Sequence, residues 1–200
     1  MKVIILCESS GIVRNQFRLL GHDAWSCDLL PADDNSPYHY QCDARDIDLS
    51  QFDLIGSHPS CTYLCGSGIH WNNRGRGWYE TERALEFVKY LMSIDKPWYL
   101  ENPVGIISSR IRKPDQIIQP YEFGEDASKK TCLWLNKIPK LIPTQRITGR
   151  IINGKERWAN QTDSGQNKLG PSDNRWKERS RTYTGIGKAI AEQYSKFLNE

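Results

Sequence analysis

Two tripeptides, Pro59-Ser60-Cys61 and Glu101-Asn102-Pro103, each follow a short apolar run of the kind that forms a buried strand, Phe52 to Ser57 and Pro97 to Leu100. A thiol and a carboxyl group at the tips of neighbouring strands suit attack on a pyrimidine ring, the thiolate adding to the ring and the carboxyl group managing a proton. Cys61 sits where strand gives way to loop, and a nearby helix start or cation would favour its thiolate. Glu101 follows Trp98-Tyr99-Leu100, so apolar surroundings should raise its pKa and keep a proton available. Both residues also have plainer readings. Cysteine is among the most buried residue types, and Glu101 can serve in a structural ion pair. His58, Cys61, Cys65 and His70 fall within thirteen positions and all can ligate zinc, although their spacing matches no common zinc pattern well.

The elements that must carry these groups alternate. Lys2 to Cys7 reads as a strand, Glu8-Ser9-Ser10-Gly11 as a tight turn and cap, and Ile12 to Leu20 as a helix ended by Gly21-His22. Ala24 to Leu29 is a second strand finishing on Asp28, and Tyr40 to Cys42 runs to Asp43. Ala84, Phe87, Val88, Leu91 and Met92 share one face of a helix over Tyr79 to Met92. Lys130 to Leu135 is a further strand, and Ile186, Ala189, Ile190, Tyr194 and Phe197 mark a C-terminal helix. This alternation predicts an α/β domain with a mostly parallel sheet covered on both faces. Ligands of such sheets bind beyond the carboxyl ends of the strands, where Glu8, Asp28, Asp43, Cys61 and Glu101 all fall. The turn Cys7 to Gly11 can bring backbone N–H groups to a ligand, and Asp28 can accept from a ribose, so an adenosine-containing cofactor fits.

Two hundred residues, 38% hydrophobic, suffice for one sizeable core, and a single domain is expected. No apolar run approaches a membrane span, Met1-Lys2 leads directly into a strand, and the six cysteines lie mostly in apolar segments. These features predict reduced thiols and an intracellular, cytoplasmic protein. Gln145 to Arg181 carries nine Lys/Arg against Glu156, Asp163, Asp173 and Glu178, so it is +5 while the remainder, given the net +3, is −2. With Trp158 and Trp176, this basic loop could neutralise phosphates and stack on bases, or be a solvated, mobile loop.

In their order along the chain these residues resemble the DNA cytosine-C5 methyltransferases, especially small phage and prophage members. The family's Pro-Cys-Gln-x-x-Ser-x-x-Gly loop is matched by Ser60-Cys61-Thr62-Tyr63-Leu64-Cys65-Gly66-Ser67-Gly68, and its Glu-Asn-Val by Glu101-Asn102-Pro103. The strand after its Tyr-Gly corresponds to Phe123-Gly124 and then Ser128 to Trp134, its cofactor loop to Cys7 to Gly11, and its last motif to Gly185-Ile186-Gly187-Lys188-Ala189. Ser60 replaces a proline, Pro103 a valine, and Lys129 and Thr131 two arginines, while only Gln145 to Lys177 stands where a target-recognition domain would be.

The resemblance implies a Rossmann-like class I fold with S-adenosyl-L-methionine as methyl donor and the pyrimidine C5 as acceptor. Cys61 would attack C6, Glu101 would bond N3 and the exocyclic amine, and Lys129, or Arg179 and Arg181, would bind O2 or a phosphate. Cys7, Glu8, Ser9, Ser10, Gly11, Asp28, Leu29, Asp43, Ala44, Pro59 and Ser60 would line the cofactor site. Because the large domain is missing, single-stranded DNA, a free pyrimidine nucleotide and DNA presented by a partner subunit stand beside duplex DNA as substrates. An inert cofactor-fold module and a zinc-stabilised nucleic-acid binder are the readings from other classes.

Overall fold

The computed structural model describes residues 1–173 and 175–199. Along the chain run β1 (Lys2–Leu6), α1 (Ile12–Leu19), β2 (Asp23–Asp28), β3 (His39–Gln41), β4 (Leu54–Ser57), α2 (Gly66–Ile69), α3 (Tyr79–Met92), β5 (Trp98–Pro103), α4 (Ile107–Arg110) and β6 (Gln116–Ile118). There follow β7 (Thr131–Asn136), β8 (Arg150–Ile152), β9 (Lys155–Arg157), α5 (Arg175–Ser180) and α6 (Thr184–Asn199). Seven strands form one sheet in the order β3-β2-β1-β4-β5-β7-β6. Neighbours from β3 to β5 pair in parallel, and β7 runs antiparallel to both β5 and β6. The expected α/β domain with a mostly parallel sheet, compatible with a Rossmann-like fold, is therefore present.

The period of two along β1 explains the layers. Val3 and Ile5 enter a core with Val13 and Phe17 of α1 and Ile186, Ile190 and Tyr194 of α6. Ile4 and Leu6 face the opposite way, into a core with Leu85, Val88 and Leu91 of α3 and with Trp98 and Trp134. A central strand flanked on both faces must be apolar throughout, which is why β1 reads as a continuous run rather than an alternation. Among the described residues no helix is long and apolar enough to cross a membrane.

Three features depart from the sequence reading. Glu101 and Asn102 lie inside β5, which continues to Pro103 because β7 pairs with it from Trp98↔Asn136 to Pro103↔Thr131. The short strand β6 was not anticipated; it is held on β7 by three residue pairs. The segment 145–181 is more than a basic loop: it holds the β8–β9 hairpin, turned by Asn153 and Gly154 at positive φ, and the helix α5.

Candidate active site

The strand order reverses at β1, between β2 and β4, and the two groups of expected site residues meet there. Leu6 pairs with Ser57, and the His58 N–H donates to the Leu6 carbonyl at 2.9 Å, so the chain beyond β1 and the chain beyond β4 leave the sheet side by side. This is the switch point at which open α/β sheets bind ligands.

On the β4–β5 side, buried Asn102 donates from Nδ2 to the Pro59 carbonyl at 2.7 Å, fixing the approach to Cys61 against β5. Cys61 opens a single 3-10 turn, Cys61–Tyr63, capped by Ser60. The loop is then locked from behind. Ile106 N–H donates to the Leu64 carbonyl at 2.9 Å, and a Cβ on Gly105 would lie 2.0 Å from that oxygen, so only glycine fits. The Cys65 N–H returns to the Cys61 carbonyl at 2.9 Å, which stacks the two cysteines one turn apart.

The thiols of Cys61 and Cys65 shift each other's ionisation. Cys65 is held down to about 5, first by the Cys61 thiol and further by the Ser67 hydroxyl, 3.2 Å away, by the Gly68 N–H and by the charge of Arg179. Cys61 is pushed up, first by that same contact and then by burial, with Lys129 acting in the opposite direction. Of the two thiols Cys65 is the one favoured as thiolate, and Lys129 acts on Cys61 in the direction expected of a nearby cation.

Glu101 is 7% exposed, and burial raises its carboxyl above the ordinary value while Lys129 opposes the rise. Its Oε2 lies 3.6 Å from His58 Nδ1. His58 shares hydrogen bonds with Thr182 Oγ1 at 3.1 Å and Tyr99 Oη at 3.0 Å, and burial lowers its pKa to about 3, so the imidazole is neutral. Tyr99 reaches it only because Gly56 has no side chain; a Cβ there would lie 2.4 Å from Tyr99 Oη. Lys129, just before β7, influences Cys61, Glu101 and His58 alike. Its ammonium donates to the carbonyl oxygens of Arg179 at 2.9 Å and Arg181 at 3.5 Å.

Cys61, Glu101 and Lys129 are therefore brought together, and the Arg179 charge stands near Cys65. Arg181 is not part of this cluster: its guanidinium binds Asp33 at 3.1 Å, beside Lys177 at 2.7 Å on the same carboxylate. Sequence reading missed His58 as a partner of Glu101, together with Thr182 and Tyr99. The signal for Thr182 was its place directly after Arg179-Ser180-Arg181, the segment that docks here. Among the described residues no three His, Cys, Asp or Glu side chains gather to hold a metal ion, so His58, Cys61, Cys65 and His70 do not assemble the zinc site considered from their spacing.

On the cofactor side, Cys7 and Asp28 lie together. The Cys7 thiol is pushed up by burial and then by the neighbouring Asp28 carboxylate. Asp28 Oδ1 accepts from the Leu30 N–H at 2.9 Å, and the Leu29 N–H also favours the ionised carboxylate. Burial raises this carboxyl group, and the neighbouring Leu29 is 69% exposed. An acceptor at the tip of β2 beside an exposed apolar side chain fits a ribose and an adenine ring.

Other expected cofactor residues are turned to the protein. Glu8 is buried and accepts from the Val13 and Arg14 N–H groups at 2.7 and 3.2 Å, so it caps α1. Gly11 is left-handed at φ 67°, and a Cβ there would lie 2.1 Å from Arg14 Nη2; its glycine requirement arises within the chain. The Ser9 carbonyl accepts from the Asp33 N–H and Ser10 Oγ from the Ile12 N–H. Asp43 is bidentate to Arg45, at 3.0 and 2.5 Å, which holds it down to about 2. Ala44 is buried behind it, Pro59 is buried under Asn102, and Ser60 is exposed.

No family model matches the chain, and no curated protein matches it either.

Proposed function

We propose that the protein transfers a methyl group from S-adenosyl-L-methionine to C5 of a cytosine in DNA through a covalent adduct on Cys61. The observation that carries this reading is the Asn102–Pro59 bond, which holds the Cys61 loop on the strand that bears buried Glu101, with Lys129 close to both. The doubly wound sheet, with its one antiparallel strand between β5 and β6, is compatible with the class I methyltransferase fold that the resemblance implies.

C5 of cytosine is a weak nucleophile until a group adds to C6. Cys61 supplies that group, and its proton passes to the Cys65 thiolate as the C–S bond forms. Glu101, whose carboxyl group is biased by burial toward its protonated form, donates to N3, so the electron pair released by the addition is held as an enamine. The remaining N–H of the Lys129 ammonium is available to the pyrimidine O2. When bound, the cofactor supplies an electrophilic methyl group, and Asp28 and Leu29 would hold its ribose and adenine. After C5 is alkylated, loss of the C5 proton to a base expels Cys61, which recovers its proton from Cys65. Glu101 recovers its proton from N3 in the same step.

The test is transfer of labelled methyl to DNA by the parent and by Cys61→Ser. Label found with the parent and lost with the variant supports the adduct; undiminished label with Cys61→Ser refutes it.

A further inference from the structure

Directly after the Cys61 loop the chain displays large aromatic groups that its cores would otherwise take in. Trp71 is 55% exposed, Trp78 37% and Tyr79 72%, whereas Trp98, Tyr99, Trp134 and Tyr194 are buried. The display is built on an ordered base. Buried Asn72 donates to Thr81 Oγ1 at 2.8 Å, and Thr81 donates to the Tyr63 carbonyl at 3.2 Å. Arg76 lies 4.7 Å over the Tyr63 ring and donates to the Gly68 carbonyl and Asn72 Oδ1, both at 2.6 Å. Asn72, Thr81 and Arg76 thus order the knuckle from within, while Trp71, Trp78, Tyr79 and Arg74 are exposed, with Arg83 lying 5.7 Å over the Tyr79 ring and His70 edge-on to Trp71. From Gly66 to Tyr79 there is no acidic residue, and Arg74 has no carboxylate partner among the described residues.

We propose that this knuckle is a stacking platform for a single-stranded polynucleotide, which it leads to Cys61. The proposal rests on the methyl-transfer reading above and names its substrate class. Aromatic faces beside an unpaired arginine match the two features every nucleic-acid strand repeats, flat bases and phosphates. Only an unpaired strand can offer its base faces, because in a duplex they stack on one another.

The test uses a fluorescently labelled all-adenine deoxyoligonucleotide, which has no pyrimidine to methylate, and its duplex with thymine of the same length. Binding by the full chain is followed by anisotropy across a salt series. The single strand binds more tightly than the duplex, Trp71→Ala and Tyr79→Ala each weaken it about tenfold, and Arg74→Glu flattens the salt dependence. Both aromatic positions are exposed, and thermal melting of each variant confirms an intact fold. Parent-like affinity in both aromatic variants, or tighter binding of the duplex, overturns the platform. Because the probe cannot be methylated, the two readings fail separately: absence of methyl transfer to any pyrimidine leaves this binding result standing, and methyl transfer with unaltered binding in both variants removes the platform alone.

Discussion

The Asn102 amide donates to the Pro59 carbonyl at 2.7 Å while its own Oδ1 is buried without a partner, so one side chain holds the tip of β5 against the loop of Cys61. Replacing it with alanine removes the donor and leaves the Pro59 carbonyl unpaired. Asn102→Ala should lose about 1–3 kcal/mol of stability, read as a lower urea midpoint at unchanged slope. A midpoint equal to the parent's would show that the loop is held by other contacts.

Cys65 carries the base role in the proposed mechanism. Activity of the parent should rise with pH through about 5, where Cys65 ionises. Cys65→Ser should cut turnover about a hundredfold and move the rise toward the ordinary thiol range, since Cys61 must then ionise unaided. An unshifted pH–rate profile in the variant would remove Cys65 from the chemistry.

Buried, neutral His58 makes the fold sensitive to acid. Its folded pKa is lowered from 6.5 to about 3, so below 6.5 the unfolded chain binds a proton that the folded chain refuses. Stability from this group is complete above 6.5 and is lost as pH falls toward 3. Glu8 acts in the opposite sense, since its pKa is raised from 4.5 to about 7 and stability falls as pH rises across that range. The two are separated by comparing variants: His58→Gln should flatten the acid side of the stability curve, and Glu8→Gln the segment from 4.5 to 7. Chemical denaturation at stepped pH reads both, and an unchanged acid limb in His58→Gln would contradict the assignment.

Asp33 receives both Lys177 and Arg181, tying α5 to the loop between β2 and β3. The cations are substantially exposed, so the pairs add little to global stability. Asp33→Ala should leave the melting temperature nearly unchanged while amide exchange in α5 speeds up. Equal exchange in parent and variant would mean that the Lys129 contacts hold α5 alone.

Much of this was legible in the sequence, and particular residues show why the rest was not. The continuous apolar run of β1 and the helical spacing over Tyr79–Met92 are local signals, and both elements appear with boundaries at or near those expected. β6 is three residues long and exists only because β7 pairs with it, a relationship no local pattern carries. Glu101 was expected to be buried, and it is. His58, however, was weighed only as a metal ligand, because its partners Tyr99 and Thr182 lie 41 and 124 positions away. Glu8 and Gly11 had the residue types of a ligand loop, yet Arg14, a buried cation, draws that turn inward.

The central claim is covalent attack by Cys61 on a pyrimidine that then accepts a methyl group at C5. It is tested most directly by incubating the parent and Cys61→Ser with labelled S-adenosylmethionine and duplex DNA, single-stranded DNA, RNA or free pyrimidine nucleotides. The account predicts label in DNA, in the single strand above the duplex, and none with the variant although it still binds cofactor. Label transferred equally well by Cys61→Ser, or no label in any acceptor with a parent that binds cofactor, would contradict it.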